Sequence, residues 1–166
     1  YLKNKKQIPV YASKKTSKYL LNTFKYCFKK TGVFYPPIMK LNILKKKHSF
    51  KKNHINIRSF EVSHGSIKSI CYVINNKIAY ASDVSFINKT DYSKIYKLKY
   101  FVVDCLREEP HPSHYDLEKI LKLIKEIKPE KTILTNLHSS LDYDKLKKKL
   151  PKSVYPAYDG MKLIIN

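Results

Sequence analysis

The chain has 166 residues, a length that suits one domain, and its formal net charge is +21. Hydrophobic residues make up 43% of the sequence, which is enough for a core and excludes wholesale disorder. There is no run of about 18 apolar residues, so a membrane-spanning helix is excluded, and we find no signal-peptide pattern. Because the first residue is Tyr1 rather than Met, we expect that the N-terminal part of the domain is missing.

The positive charge comes almost wholly from lysine, since Arg58 and Arg107 are the only arginines. Recognition of bases and phosphates usually relies on the guanidinium group, which binds two acceptors at once. Lysine is abundant together with asparagine, isoleucine and tyrosine, a pattern typical of a genome rich in A and T. We therefore interpret the lysines as a solvated surface, and nucleic acid stays open as a partner without being favoured.

The cysteines Cys27, Cys71 and Cys105 have no Cys-x-x-Cys spacing, and each has apolar neighbours. This arrangement predicts buried core thiols in a reducing compartment, and it argues against disulfides or a zinc framework. We therefore expect a cytoplasmic protein. No membrane partner is expected, and the sequence leaves a homodimer open.

The first elements in chain order are a strand at 8–12 and a helix from a Thr16 cap to about Lys29. A strand is predicted at 38–44, followed by a lysine-rich surface loop at 45–53. From Ile55 the hydrophobic period changes to two, which predicts a strand that ends near His64.

The second half alternates strands and helices. Asn75 and Asn76 predict a hairpin turn between strands at 70–74 and 77–81. A helix at 115–128 is expected, with Ser113 as its N-cap and Asp116 in the capping-box position. The remaining predicted elements are strands at 100–106, 131–137 and 161–165 and a short helix at 142–150. The pattern indicates an α/β domain with a mixed sheet.

Polar side chains that could bind metal follow the apolar strands of this predicted sheet. His64, Asp83 and His114 each come after a strand, and Asn136 and His138 follow another. Neutral imidazole and carboxylate are ligands for Zn²⁺ or Mn²⁺, and a carboxylate can bridge two ions. Each of these residues also has an ordinary structural explanation, such as a hydrogen-bonded histidine at a strand end or a turn cap. His48 and His54 lie in the lysine-rich loop and are expected to be exposed.

The chain resembles the C-terminal part of a metallo-β-lactamase-fold hydrolase, of the branch that includes phosphoribosyl cyclic phosphodiesterases and is sister to the tRNA 3′-processing endonucleases. The matching segments occur in the family's order and span nearly the whole chain. They are residues 8–13, 60–65, 79–85, 104–107, 111–114, 133–135 and 158–160. The resemblance implies an αββα sandwich with mixed sheets, here without its N-terminal strands, as a single domain over residues 1–166.

The resemblance implies a site with two divalent ions, Zn²⁺ or Mn²⁺. His64 matches a metal-ligand histidine, and Asp83 matches the aspartate that bridges the ions. His114 matches a histidine that assists cleavage, either by holding a phosphate oxygen or by protonating the leaving group. His111 matches no firm role, and we interpret it as a loop residue or a neighbour of the ligands. The implied substrate is a small, cyclic phosphodiester.

The sequence departs from the family pattern at two points. The His-x-His-x-Asp-His segment that supplies most ligands is absent, so we expect this chain alone to be incomplete and inactive. Relatives carry a ligand histidine where this chain has Asn136, a poor ligand. His138, two residues on, would share a strand face with position 136 and could replace that ligand. Two alternatives stay open: an RNA-processing endonuclease of the same fold, and a catalytically inactive binding domain.

Overall fold

The computed structural model describes residues 6–33, 35–44, 48–52 and 54–165. The chain divides into two compact units, Tyr1–His48 and Ser49–Asn166, which are treated separately below. The expectation of one domain over the whole chain stays a prediction. Within the described ranges, no helix has the length and apolar character needed to cross a membrane.

The first unit contains two parallel strands and two helices. β1 (Ile8–Ser13) pairs with β2 (Met39–Leu44), with Ile8 opposite Met39, and the intervening chain forms α1 (Lys14–Thr23) and α2 (Lys25–Phe28). Both predicted strands are confirmed. A helix is the usual connection between parallel strands, because the chain must return from the carboxyl end of the first strand to the amino end of the second.

The predicted helix of the first unit begins earlier than expected and is interrupted. The N-cap is Ser13, not Thr16, because the Ser13 hydroxyl accepts the backbone N–H of Thr16 at 3.2 Å. The backbone of Phe24 leaves the helical region, with φ −121° and ψ 37°, and it separates α1 from α2.

The second unit is built on a seven-stranded sheet in which the strands lie side by side in chain order. β4, β5 and β6 pair antiparallel, whereas β6, β7, β8 and β9 pair parallel, so the sheet is mixed as predicted. The strands are β3 (His48–Lys52), β4 (Ile55–His64), β5 (Ile67–Ile74), β6 (Ile78–Ala81), β7 (Tyr100–Asp104), β8 (Lys131–Thr135) and β9 (Val154–Pro156), and the helices are α3 (Leu117–Ile127) and α4 (Tyr143–Lys149).

The hairpin between β5 and β6 turns at the predicted asparagines. Asn75 and Asn76 both have positive φ, 51° and 54°, and Ile74 pairs with Ile78 across the turn. The N–H of Lys77 donates to the carbonyl of Ile74 at 2.9 Å, so the two asparagines are the central residues of a β-turn within a three-residue loop. Such a turn needs left-handed backbone at both central positions, which asparagine tolerates better than most residues.

Three predictions for the second unit are wrong in detail. Residues 48–52 of the expected loop form β3, while 45–47 and 53 lie outside the described residues. Asp116, not Ser113, caps α3, since its carboxylate accepts the N–H of Lys119 at 2.9 Å.

The last strand is Val154–Pro156 rather than 161–165. Proline is tolerated there because β9 is an edge strand, where one side of the backbone needs no partner.

The core of the second unit lies between the sheet and α3. Phe101 and Val103 of β7, Leu134 of β8, and Ile120 and Ile127 of α3 are fully buried. Cys71 and Cys105 are also fully buried, and burial raises the pKa of each thiol to about 12. Their core placement is as predicted, whereas Cys27 is half-buried.

The direction of the strands brings four chain segments to one edge of the sheet. Because β4 and β6 are both antiparallel to β5, they run in the same direction, and β7 and β8 run parallel to β6. The carboxyl ends of β4, β6, β7 and β8 therefore share an edge, where sites of α/β proteins usually form.

Candidate functional site

Polar side chains occupy each of the four strand ends at this edge. His64 and Asp104 are the last residues of β4 and β7, Asp83 follows β6 by two residues, and Asn136 follows β8 directly. The loop after β7 brings His111 and His114 to the same place.

His64 is held in one tautomer by a backbone carbonyl. Its Nδ1 lies 2.6 Å from the carbonyl oxygen of Ser113. A carbonyl only accepts, so Nδ1 must carry the proton and donate it. The Nε2 atom of His64 is thereby left with a lone pair that can bind a cation.

His114 is held in the same way by a buried carboxylate. Its Nδ1 donates to Oδ2 of Asp104, which is fully buried and also accepts the N–H of Val84 at 3.2 Å. Burial raises the pKa of the Asp104 carboxyl, and the hydrogen bond from His114 opposes that shift. Nε2 of His114 therefore also presents a lone pair.

These groups form a compact donor set. The rings of His64 and His114 lie 4.7 Å apart at 75° to each other. The candidate ligand atoms of Asp83, Asp104 and His114 all lie within 4.8 Å of one another. Oδ1 of Asp104 is buried and has no hydrogen-bond partner among the described residues. Imidazole nitrogens, carboxylate oxygens and one unsatisfied buried oxygen fit Zn²⁺ or Mn²⁺.

His111 lies beside this set, but the proton of its ring is on a different nitrogen from that of His64 and His114. Its ring is 5.1 Å from that of His114, and its Nδ1 accepts the backbone N–H of Ser113 at 3.3 Å. The neutral ring therefore carries its proton on Nε2. Desolvation, with a further contribution from Arg107, lowers the pKa of His111 and favours that neutral form. His111 thus carries an N–H that can donate a hydrogen bond, on a ring next to that of His114.

Asn136 and His138 occupy local hydrogen bonds outside the donor set. Asn136 has φ 58°, and its Nδ2 donates to the carbonyl of Ser82, next to Asp83. β8 ends at Thr135, so position 138 is not on a strand and the argument from a shared face does not apply. His138 is exposed, and its Nδ1 accepts the N–H of Ser140 at 3.2 Å. Metal binding by either residue stays a prediction.

His48 and His54, the two histidines of the lysine-rich segment, precede all of these residues in the sequence. His54 is exposed, as expected, and the side chain of His48 lies outside the described residues.

Sequence reasoning missed two groups that orient the histidines. Asp104 lies in a segment that matches the family, but it received no role, although it is the one carboxylate in the apolar run 100–106. That position was the available signal, because a buried acid needs a partner. The carbonyl of Ser113 gave no signal, since a backbone oxygen is present at every residue.

Gly65 allows the turn after β4 to approach the histidine loop. It has φ +57°, and a Cβ at this position would lie 3.0 Å from Cβ of Ser113. Its N–H donates to the hydroxyl of Ser85 at 3.1 Å. The contact between His64 and the Ser113 carbonyl therefore depends on a residue without a side chain.

Comparison with known families identifies the family of the chain. The family model for the β-lactamase superfamily domain matches residues 2–136. The chain therefore belongs to this family, and its α/β fold with mixed sheets is that of the metallo-β-lactamase-type hydrolases. The expected fold class is confirmed. A search of curated proteins found no match.

Solved structures show the same fold. A diphosphatase of the PhnP family is 25% identical, with a TM-score of 0.84 over 95% of this chain and 58% of that one. The short form of human tRNase Z is 13% identical, with a TM-score of 0.67 over 95% and 66% of the two chains. Zn²⁺-bound PqqB from Methylobacterium extorquens is 12% identical, with a TM-score of 0.76 over 99% and 67%. The chain thus spans about three fifths of the diphosphatase.

We predict that Gly65→Ala destabilises the protein by about 1–3 kcal/mol, because the new Cβ adds a steric contact to left-handed backbone strain. Urea unfolding followed by circular dichroism measures the change. Gly160→Ala, with φ +87° and open space around it, should cost less, and Gly32→Ala, which has open space and no positive φ, should be nearly neutral. An equal effect at positions 65 and 160 would contradict the close approach to Ser113.

Proposed function

We propose that this chain carries part of the active site of a metal-dependent hydrolase that cleaves a small phosphodiester, including cyclic ones. The observation that carries the proposal is the shared tautomer of His64 and His114. Each ring donates from Nδ1 to a fixed acceptor, so both Nε2 lone pairs remain available. The two rings lie 4.7 Å apart, and a ligand atom of His114 lies within 4.8 Å of the carboxylate of Asp83.

The donor set indicates which residues would hold metal. Nε2 of His64 and the carboxylate of Asp83 would hold two ions of Zn²⁺ or Mn²⁺. When bound, such ions would supply a nucleophile near neutral pH and compensate charge on the phosphoryl oxygens. The Zn²⁺ in the PqqB structure supports the choice of a divalent ion for this fold.

His114 is proposed to move a proton during cleavage. Its Nε2 can bind a proton, and the buried Asp104 carboxylate at Nδ1 stabilises the resulting imidazolium. From that state His114 can hold a phosphate oxygen or protonate the departing oxygen. Asp104 acts through His114 and is therefore a positioning residue. The N–H of His111 provides a further donor for phosphate oxygens.

The substrate class is supported by the relative with the highest identity among those described above. That structure is a diphosphatase, whose reaction breaks a phosphorus–oxygen bond. The resemblance of the sequence to cyclic phosphodiesterases indicates the same bond type. A small substrate is proposed because the resemblance is to enzymes that act on small cyclic phosphodiesters.

The metal ligands are tested by measuring bound metal in this chain and in three variants. Hydrolysis of bis(p-nitrophenyl) phosphate is measured with the same variants in a completed protein, in which this chain follows a His-x-His-x-Asp-His segment. We expect His64→Ala and Asp83→Asn to lose metal, at least tenfold in affinity, and to lose hydrolysis with it. His54→Ala is the matched control, because His54 is an exposed histidine of the same unit. Unchanged metal content in both ligand variants would refute the assignment.

The same measurement on His138→Ala decides the open position after β8. If this variant loses metal, His138 supplies the ligand that relatives carry at position 136. If it retains metal, as its exposed turn geometry favours, the site is formed by the other residues.

The role of Asp104 is tested with Asp104→Asn in the same completed protein. An amide can still accept a hydrogen bond from His114, but it does not stabilise the imidazolium. We expect the hydrolysis rate to fall by about 10²–10⁴-fold, with metal content retained and the pH profile of kcat shifted. Loss of metal together with activity would instead make Asp104 a ligand, and an unchanged rate would exclude the proton-transfer role of His114.

A further inference from the structure

The acidic residues are distributed very unevenly along the chain. Residues 1–48 contain 13 lysines and not one Asp or Glu, while residues 49–166 contain the other 21 basic residues and all 13 acidic ones. The formal charges of the two units are therefore +13 and +8. A codon bias along the whole chain raises lysine in both units, but it does not remove acidic residues from one of them.

The lysines of the first unit cannot pair with carboxylate side chains of the same unit, because it has none. Its described lysines are all exposed: Lys6, Lys14, Lys15, Lys18, Lys25, Lys29, Lys30 and Lys40. Like charges repel one another, so a concentration of lysines in a unit without acidic side chains favours binding of a polyanion. The second unit differs, since its lysines include several ion pairs such as Lys119 with Asp116.

Three of these lysines line one groove on the helices of the first unit. Lys18, Lys25 and Lys29 surround it together with Leu21 and Asn22, and its volume is about 460 Å³. α1 and α2 thus turn a sequence rich in lysine into a local concave surface with three positive side chains.

Two exposed tyrosines are next in sequence to lysines of the groove, although they are not among the residues that line it. Tyr19 and Tyr26 directly follow Lys18 and Lys25 in the sequence, and they are 64% and 59% exposed. Rings with this exposure contribute little to the core. A lysine paired with an adjacent tyrosine, repeated after seven residues, combines a phosphate contact with a stacking surface for an unpaired base.

We propose that the groove of α1 and α2 binds single-stranded nucleic acid, with Lys18, Lys25 and Lys29 on the phosphates and Tyr19 and Tyr26 against the bases. The groove consists of residues other than those of the site at the strand ends, and the proposal does not depend on the function of that site. A membrane surface fits less well, because such helices bury a broad apolar face, whereas the exposed residues of α1 and α2 are mostly lysine, tyrosine and small polar residues. Phe24, which is 40% exposed, is the one exposed aliphatic or phenylalanine side chain between Lys14 and Phe28. An acidic protein would need the lysines but would not account for the two exposed rings.

The experiment measures the binding of a fluorescein-labelled 12-residue oligouridylate by anisotropy at several salt concentrations. The test variant changes Lys18, Lys25 and Lys29 to Gln. The matched control changes the exposed Lys145, Lys148 and Lys152 to Gln, which removes the same charge from the second unit. We expect the affinity of the test variant to fall at least tenfold. The slope of log K against log salt concentration should become shallower by about 2, since each phosphate contact contributes about 0.7. The control variant should change little in either quantity.

A second variant, Tyr19→Ala with Tyr26→Ala, separates stacking from charge. We expect about a tenfold or larger loss for the oligouridylate and an unchanged affinity for heparin, which has charge without bases. Circular dichroism verifies the fold of each variant. Equal losses in both lysine variants, an unchanged affinity of the tyrosine variant, or tighter binding to phosphatidylserine vesicles than to RNA would each overturn the proposal.

Discussion

The hydrogen bond between Asp104 and His114 is the contact on which the candidate site depends. A carboxylate at the buried end of β7 is costly unless it is paired. Oδ2 of Asp104 also accepts the N–H of Val84, the residue that follows Asp83. One buried group therefore joins the end of β7, the segment after β6 and the histidine loop, and it fixes the tautomer of His114.

The topology of the sheet explains why residues far apart in sequence meet at this group. His64 and Asn136 are separated by 71 residues, yet both lie at strand ends of the same edge because β4, β6, β7 and β8 run in one direction. Short contacts then adjust the loops: Gly65 lets His64 reach the carbonyl of Ser113, and Asn136 holds the carbonyl of Ser82. Fold and site are thus parts of one arrangement.

The sequence predicted the strand ends of the site well, because apolar runs that stop at a polar residue are a local signal. The strand ending at His64 and the Asn75–Asn76 hairpin are confirmed on this basis. The strand Val154–Pro156 was not predicted from the sequence. It has only three residues, one of them proline, and it forms an edge strand because it can pair with β8. The hydrogen bonds of His64 and His114 were equally out of reach, since they depend on which loop lies beside each ring.

The charge on the first unit shows a related limit of composition. Total lysine content gave no reason to favour nucleic acid, whereas the position of the acidic residues, all beyond residue 48, separates two units of different character. The structure of α1 and α2 adds information that the numbers of lysines and acidic residues do not contain, because three of the lysines line the same groove.

The tautomers of the histidine rings are tested most directly by a long-range ¹H–¹⁵N NMR spectrum, recorded before and during titration with Zn²⁺. We predict that His64 and His114 carry their proton on Nδ1, that His111 and His138 carry it on Nε2, and that Zn²⁺ shifts the Nε2 resonance of His64. A proton on Nε2 of His64 or His114 in the metal-free protein, or shifts confined to His111 and His138, would contradict this arrangement of the site.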